Sequence, residues 1–141
     1  MFHKIVVPID PNEMDFATPA LKTAAGLASN TNAKVHIVAV MQPVNGYVAE
    51  FLPQDFETKT EQSIRDRIDA LAASVGLTKE NATGVLRFGG VYHEVLDEAS
   101  EWGADLIVVS SHRPTMSTYL LGSNAAKIVR HAPCSVMVLR G

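Results

Sequence analysis

The stretch Asp105-Leu-Ile-Val-Val-Ser-Ser-His-Arg-Pro114, followed after a short interval by Gly122-Ser-Asn-Ala-Ala126, decides the fold of this chain. It predicts a buried strand, a polar loop and a helix that begins at Gly-Ser-Asn. The first turn of a helix leaves backbone N–H groups without partners, and the helix dipole adds partial positive charge there. Because both effects favour a bound phosphate, this stretch predicts an anion site at the end of a strand.

Short apolar runs alternate with amphipathic helical patterns along the rest of the chain. The predicted strands are 3–9, 34–41, 83–88, 105–110 and 135–139, and the predicted helices are 15–29, 57–75, 91–102 and 122–131. Continuous apolar strands in this alternation are typical of an α/β fold, a parallel sheet that helices cover on both faces. The stretch 42–56 carries Pro43, Gly46 and Pro53, so we predict a long loop there. No second domain is evident, and we expect one domain over residues 1–141.

Composition excludes several classes of function. The net charge of −3 predicts no general attraction to nucleic acid or anionic lipid. No apolar run approaches the ~20 residues that span a bilayer, so no membrane insertion is expected. The lone Cys134 cannot form an internal disulfide, and nothing resembles a signal peptide. We therefore expect a cytoplasmic protein in which Cys134 is a packing residue.

Polar features follow three of the predicted strands, where ligands of open α/β sheets bind. Strand one ends in Pro8-Ile9-Asp10, strand three in Gly89-Gly90, and strand four in Ser110-Ser111-His112-Arg113. If strands one and four are neighbours, Asp10 and the Ser110–Arg113 loop face one crevice. Gly122 would let the backbone approach a phosphate, Ser123 would donate a hydrogen bond, and Arg113 would supply positive charge.

Plainer interpretations of these residues stay open. Ser123 or Asn124 can simply cap the helix, Asp10 can be a turn residue, and His112 can be an ordinary loop histidine. Neither a G-x-S-x-G nucleophile elbow nor a G-x-x-x-x-G-K-[ST] phosphate loop is present in the sequence. The histidines show no metal-ligand spacing, so we assign no catalytic residue and no metal site.

The motifs resemble those of the universal stress protein family over the whole chain. The resemblance is carried by Ile5-Val-Val-Pro-Ile-Asp10, Val35-His-Ile-Val-Ala-Val40, Gly89 before a helix, Ala104-Asp-Leu-Ile-Val-Val-Ser110, Leu120-Leu-Gly-Ser-Asn-Ala125 and His131-Ala-Pro-Cys-Ser-Val-Met-Val-Leu139. The last three are the most specific, and they look most like the F/G-type branch of small bacterial universal stress proteins. The resemblance implies an adenine nucleotide alpha hydrolase-like fold, with five parallel strands in the order 3-2-1-4-5. It also implies a homodimer that pairs through residues 135–139.

The family's ATP binders typically carry G-x2-G-x9-G-[S/T], and this sequence departs from that pattern. Ser110 and Arg113 stand at the first two glycines, and eight residues rather than nine separate Arg113 from Gly122. The F/G-type branch shares these departures and, as the resemblance implies, includes nucleotide binders, so ATP is the expected ligand, with Mg²⁺ bridging its phosphates. The resemblance assigns the adenine and ribose to Pro8, Ile9, Asp10, Val40, Gly89 and Ser110, and the phosphates to Ser111, His112, Arg113, Gly122, Ser123 and Asn124.

Three functions compete on this sequence. The first is an ATP-binding stress-response or regulatory module that passes its state to a protein partner. The second is an enzyme, at most a slow ATPase, for which Asp10 and His112 are the only candidate bases. The third is a dimeric interaction protein without a nucleotide, in which 42–56 is the interaction surface. The sequence names neither the partner nor the stress signal, and it does not separate ATP from ADP or AMP.

Overall fold

The computed structural model describes residues 1–43, 45–111 and 123–140. Its strands are β1 (Lys4–Ile9), β2 (Lys34–Met41), β3 (Ala82–Phe88), β4 (Leu106–Ser110) and β5 (Ser135–Leu139). They form one parallel sheet in the order β3-β2-β1-β4-β5. The expected α/β fold and strand order are therefore confirmed.

The helices are α1 (Thr18–Thr31), α2 (Gly46–Ala49), α3 (Phe56–Ser74), α4 (Val91–Trp102) and α5 (Ser123–His131). A 3-10 turn at Met14–Ala17 precedes α1, where the sequence predicts the start of the helix itself. Pro19 lies in the first turn of α1, where its missing N–H costs little. The prediction of an uninterrupted loop over 42–56 is wrong in one respect. Asn45 accepts a hydrogen bond from the Tyr47 N–H at 2.8 Å and caps the single turn of α2.

Two apolar layers cover the sheet, as the alternation of side chains along each strand requires. Ile5, Val7 and Ile9 of β1 pack under α1 and α3, whereas Val6 packs on the other face with α4 and α5. The inward residues of the helices recur every three or four positions: Ala20, Leu21, Ala24 and Ala28 in α1, Ile64, Ile68 and Ala72 in α3, Val95 and Ala99 in α4, and Ala125 and Ile128 in α5. Each buried Ile or Leu contributes about 1.5–3 kcal/mol to the stability of the folded protein. The two layers therefore fix the positions of the strand ends. Among the described helices, none combines the length and apolar character needed to cross a membrane.

Asp105 joins the amino-terminal ends of β1 and β4 through hydrogen bonds. Its carboxylate accepts hydrogen bonds from the backbone N–H groups of His3 at 2.8 Å and Lys4 at 3.0 Å. Its own N–H donates to the Lys4 carbonyl at 2.9 Å. Although burial raises the pKa of Asp105, these backbone hydrogen bonds outweigh it and the net pKa is lowered. Asp105 thus sets the relative positions of β1 and β4 from the end opposite to the candidate site.

Candidate functional site

The strand order reverses between β1 and β4, and these two strands separate towards their carboxyl ends. Pairing of β1 with β2 continues to Ile9, and pairing of β4 with β5 continues to Ser110. Between β1 and β4, the paired positions are only Ile5 with Leu106 and Val6 with Ile107. If this register of β1 on β4 is continued, Ile9 lies level with Ser110. Asp10 and Ser110 therefore lie on either side of the opening between the carboxyl ends of β1 and β4. Open α/β sheets bind ligands at such a switch point.

Asp10 is exposed and forms a tight turn directly after β1. Its Oδ1 accepts from the Asn12 N–H at 2.9 Å, and its carbonyl accepts from the Glu13 N–H at 3.0 Å. The interpretation of Asp10 as a turn residue is therefore confirmed. A contact of Asp10 with a ligand stays a prediction, and the turn leaves the Asp10 side chain at the surface beside the switch point.

The other assigned residues of β1 and β2 offer a ligand mainly their backbone. Ile9 and Val40 are each 7% exposed, with side chains packed in opposite apolar layers, and Pro8 is half-buried. Pro8 has no N–H, so it leaves a gap among the backbone donors of β1. If a base lies over these strand ends, only their peptide groups and exposed edges can contact it.

Gly89 has a backbone conformation that favours glycine. Its φ is +144°, and a Cβ built there would lie 2.9 Å from a carboxylate oxygen of Glu94. The Gly89 N–H donates to the Met41 carbonyl at 2.9 Å, which joins the ends of β3 and β2. Because β2 intervenes between β3 and β1, Gly89 stands about two strand spacings, roughly 10 Å, from the end of β1. A ligand that reaches both must extend across β2.

Ser110 and Ser111 have different hydrogen-bonding environments. Ser111 donates from its N–H at 3.0 Å and its hydroxyl at 3.3 Å to the Leu139 carbonyl, so it is tied to β5. The Ser110 hydroxyl oxygen is buried and has no hydrogen-bond partner among the described residues. A buried hydroxyl without a partner costs roughly 1–3 kcal/mol, so the Ser110 hydroxyl is a candidate contact for a ligand at the switch point.

Helix α5 begins at Ser123, and both Ser123 and Asn124 are exposed in its first turn. Ala125 and Ile128 anchor the helix in the apolar layer, so its amino terminus is held beyond the end of β4. The predicted site residues His112, Arg113 and Gly122 lie outside the described residues. The choice between a phosphate contact and a helix cap at Ser123 and Asn124 stays open.

The sheet face that α4 and α5 cover also carries a cluster of charged residues, towards β3. This cluster was not identified from the sequence. Arg87 forms ion pairs with Glu94 at 2.9 Å, Glu98 at 3.4 Å and Glu101 at 3.1 Å. His36 Nδ1 lies 3.7 Å from the Glu98 carboxylate, and the His36 ring stacks on Trp102 with centroids 3.5 Å apart. Burial, and then the charge of Lys4, lower the pKa of His36. The i, i+4, i+7 spacing in the sequence places the three glutamates on one face of α4, but it does not link them to Arg87 or His36.

Cys134 is half-buried against the α4–α5 layer. Burial, and then the charge of Asp105, raise the pKa of its thiol. Since the thiolate is the nucleophilic form, this environment favours the expected role in packing.

Comparison with known proteins gives one consistent family. The model of the universal stress protein family matches residues 1–140. Universal stress protein G of Escherichia coli O157:H7 is 31% identical over 143 residues, covering 99% of this chain and 100% of that protein.

Solved structures agree with that family in fold. A universal stress protein in complex with cAMP has a TM-score of 0.73 at 23% identity, covering 99% of this chain and 97% of its own. The universal stress protein from Archaeoglobus fulgidus in complex with dAMP has a TM-score of 0.69 at 20% identity, covering 96% of both chains. At these identities the likeness establishes the fold.

Proposed function

The chain belongs to the universal stress protein family, and on that premise we propose that it binds an adenine nucleotide, ATP by preference, at the β1–β4 switch point. The observation that carries this proposal is the buried Ser110 hydroxyl, without a partner in the described part of the chain, where β1 and β4 separate. Two structural neighbours, universal stress proteins in complex with cAMP and with dAMP, support the class of ligand.

The residues at the switch point suit the parts of such a nucleotide. The peptide groups of Pro8, Ile9 and Val40 face the base, and Asp10 and Ser110 offer oxygen atoms to the ribose hydroxyls. The first turn of α5 supplies backbone N–H groups and the Ser123 hydroxyl to the phosphates. Arg113 adds the positive charge. Mg²⁺ would be held by phosphate oxygens and water, because the described residues contain no group of His, Cys, Asp and Glu arranged for a metal.

The proposed role is that of a binding module in a stress response rather than a dedicated enzyme. Among the described residues of the switch point, Asp10 is the candidate base, and its Oδ1 is already engaged by the Asn12 N–H. We expect saturable binding and a turnover well below ~1 per second, the low end of the usual enzyme range. Faster hydrolysis, abolished by Asp10→Asn, would establish an ATPase instead.

The decisive experiment compares Ser110→Ala with Ser111→Ala. Without nucleotide, Ser110→Ala is expected to keep or raise the free energy of unfolding, because it removes a hydroxyl that has no partner in the described chain. With ATP it should show a smaller thermal shift than the wild type. Ser111→Ala removes a hydroxyl that donates to the Leu139 carbonyl of β5, and a full thermal shift in this variant would exclude the phosphate contact expected for Ser111.

Two further variants locate the phosphates. Ser123→Asp introduces negative charge at the start of α5, and Gly122→Val adds bulk before it, so both should abolish binding. Nucleotide released from denatured wild-type protein, and absent from these variants, would support the site. If wild-type protein carries no nucleotide and ATP titration gives no signal, the protein is an interaction module alone.

We also propose that two copies pair through β5. This strand is an edge of the sheet, and Val136, Met137, Val138 and Leu139 are only half-buried there. Exposed apolar edges favour pairing with another chain. Light scattering of the wild type should give the mass of a dimer, and Val138→Lys should shift it to the monomer. A wild type that is monomeric at all concentrations would exclude this interface.

A further inference from the structure

A cleft lies between α3 and the carboxyl ends of β1 and β2, and its lining, within the described residues, contains none of those assigned to the nucleotide. Its volume is about 390 Å³, within the size range of small-molecule sites. One stripe of α3 forms its long wall through Phe56, Lys59, Thr60, Ser63, Ile64 and Arg67. The opposite wall is formed by Pro11, Asn12 and Met41. The spacing along α3 is three or four residues, so these side chains share one helix face.

This cleft is on the other side of the sheet from α5. Met41 packs against the layer under α1 and α3, whereas its neighbour Val40 packs in the α4–α5 layer. The Asp10 turn separates the two regions: Asp10 stands at the switch point, and the two residues after it line the cleft. A molecule in the cleft would therefore leave Ser123 and Asn124, at the start of α5 on the other face, uncovered.

The interior of the cleft is apolar. Ile64 is only 5% exposed, and Met41 is half-buried in the core, so both form a fixed base. Phe56 is 36% exposed and presents its ring from the start of α3, beside Pro53. Such a surface suits a flat aromatic or aliphatic body of modest size.

The charge around the cleft selects an anion. Lys59 and Asp55 pair with each other at 3.0 Å and largely cancel. Arg67 also lines the cleft, and it forms no hydrogen bond or ion pair within the described residues. The described residues of the lining therefore carry a net positive charge, on a protein whose overall charge is −3. A guanidinium on the same helix face as the Ser63 and Thr60 hydroxyls suits a phosphate or carboxylate.

We propose that this cleft is a second binding site, one that takes a small aromatic anion, with Arg67 holding the anionic group. The ring lies against Met41, Phe56 and Ile64, and the hydroxyls of Thr60 and Ser63 complete the polar side. The proposal goes beyond nucleotide binding at the switch point and does not depend on it.

The test uses 1-naphthyl phosphate as the probe and 1-naphthol as its neutral counterpart. Methyl-labelled protein is titrated while the resonances of Met41 and Ile64 in the cleft are compared with that of Ile128 on the other face. We expect saturable shifts at Met41 and Ile64, little change at Ile128, and at least about tenfold weaker binding of 1-naphthol. Shifts that do not saturate, or that are as large at Ile128, would overturn the proposal.

Two charge variants test the role assigned to Arg67. Arg67→Gln should weaken 1-naphthyl phosphate binding about tenfold and leave 1-naphthol binding unchanged. Lys79→Gln removes the same charge from an exposed turn after α3 and should change neither. Equal affinity of wild type and Arg67→Gln would refute the anion contact.

Two further variants distinguish this cleft from the nucleotide site. Ser63→Trp fills the cleft and should abolish probe binding while ATP binding persists. Ser123→Asp should abolish ATP binding while probe binding persists. If Ser63→Trp leaves probe binding intact, or if Ser123→Asp abolishes it, the cleft is not the site; loss of ATP binding alone leaves this proposal standing.

Discussion

Gly84 controls how closely α3 approaches the sheet, and its replacement by alanine gives a quantitative test of that packing. A Cβ at Gly84 would lie 2.9 Å from Ile68 Cγ2 and 3.4 Å from Ile68 Cβ and Cδ1. Carbon atoms in contact prefer about 3.5–4.0 Å, so Ile68 or the helix must move by roughly 0.6 Å or more. Ile68 is 1% exposed and has little room to move.

The expected cost follows from two opposing effects. Extra methyl groups in a packed core cost about 1–3 kcal/mol. Alanine recovers roughly 0.5–1 kcal/mol because it loses less conformational entropy than glycine when a strand forms. We therefore expect Gly84→Ala to lower the free energy of unfolding by about 1–2 kcal/mol. With a typical urea m-value, the midpoint should fall by about 0.5–1 M.

Gly26→Ala is the matched control for the urea experiment. Gly26 lies within α1 and has no atom within 4 Å of a built Cβ, so the same chemical change meets no obstacle there. It should raise the free energy of unfolding by up to about 1 kcal/mol. If Gly84→Ala is as stable as the wild type, or gains stability as Gly26→Ala does, the proposed contact with Ile68 does not limit the packing.

Three further predictions concern titration and the end of β3. The pKa of His36 is lowered from 6.5 in the folded protein, and the nearby Glu98 carboxylate is shared with Arg87. The unfolded chain therefore binds the proton more readily than the folded protein does. As a result, the free energy of unfolding should fall as the pH drops below 6.5. His36→Phe keeps a ring against Trp102 and should flatten that pH dependence in urea melts, whereas an unchanged slope would assign it to another group. The pKa of Asp105 is lowered from 3.8, so its contribution to stability is present above that pH and is lost on acidification. Asp105→Asn should lower the free energy of unfolding by about 1 kcal/mol at pH 7, and this difference should shrink below pH 3.8. Gly89→Ala should lower the melting temperature, because φ is +144° and the added Cβ meets Glu94, and an equal melting temperature would argue against that backbone conformation.

Local periodicity in the sequence was sufficient for most of the fold. The predicted bounds of β2, α4 and β5 agree with the structure, and those of the other strands and of the later helices differ by one residue. Side chains that face a core recur every two positions in a strand and every three to four in a helix, so the pattern is readable without tertiary information. The turn of α2 was missed because its four residues are too few to show a period.

The candidate site could be predicted only in part from the sequence. Carboxyl ends of parallel strands meet at one edge, so Asp10, Ser110 and the start of α5 could be grouped in advance. The different partners of Ser110 and Ser111 could not be foreseen, because they depend on how β5 pairs beside β4. Likewise, no local pattern joins Arg87 to three glutamates of α4, since that contact depends on where the helix crosses the sheet.

The sequence by itself determined the order of strands and helices, their approximate bounds, and a family whose motifs run along the whole chain. These properties follow from short-range spacing of apolar, glycine and proline residues. Only the tertiary structure decided that β1 and β4 separate beside a buried Ser110 hydroxyl, and that Met41 and Arg67 line one cleft. Such contacts join residues far apart in the chain, and they depend on the register of helices on the sheet, which local spacing does not specify.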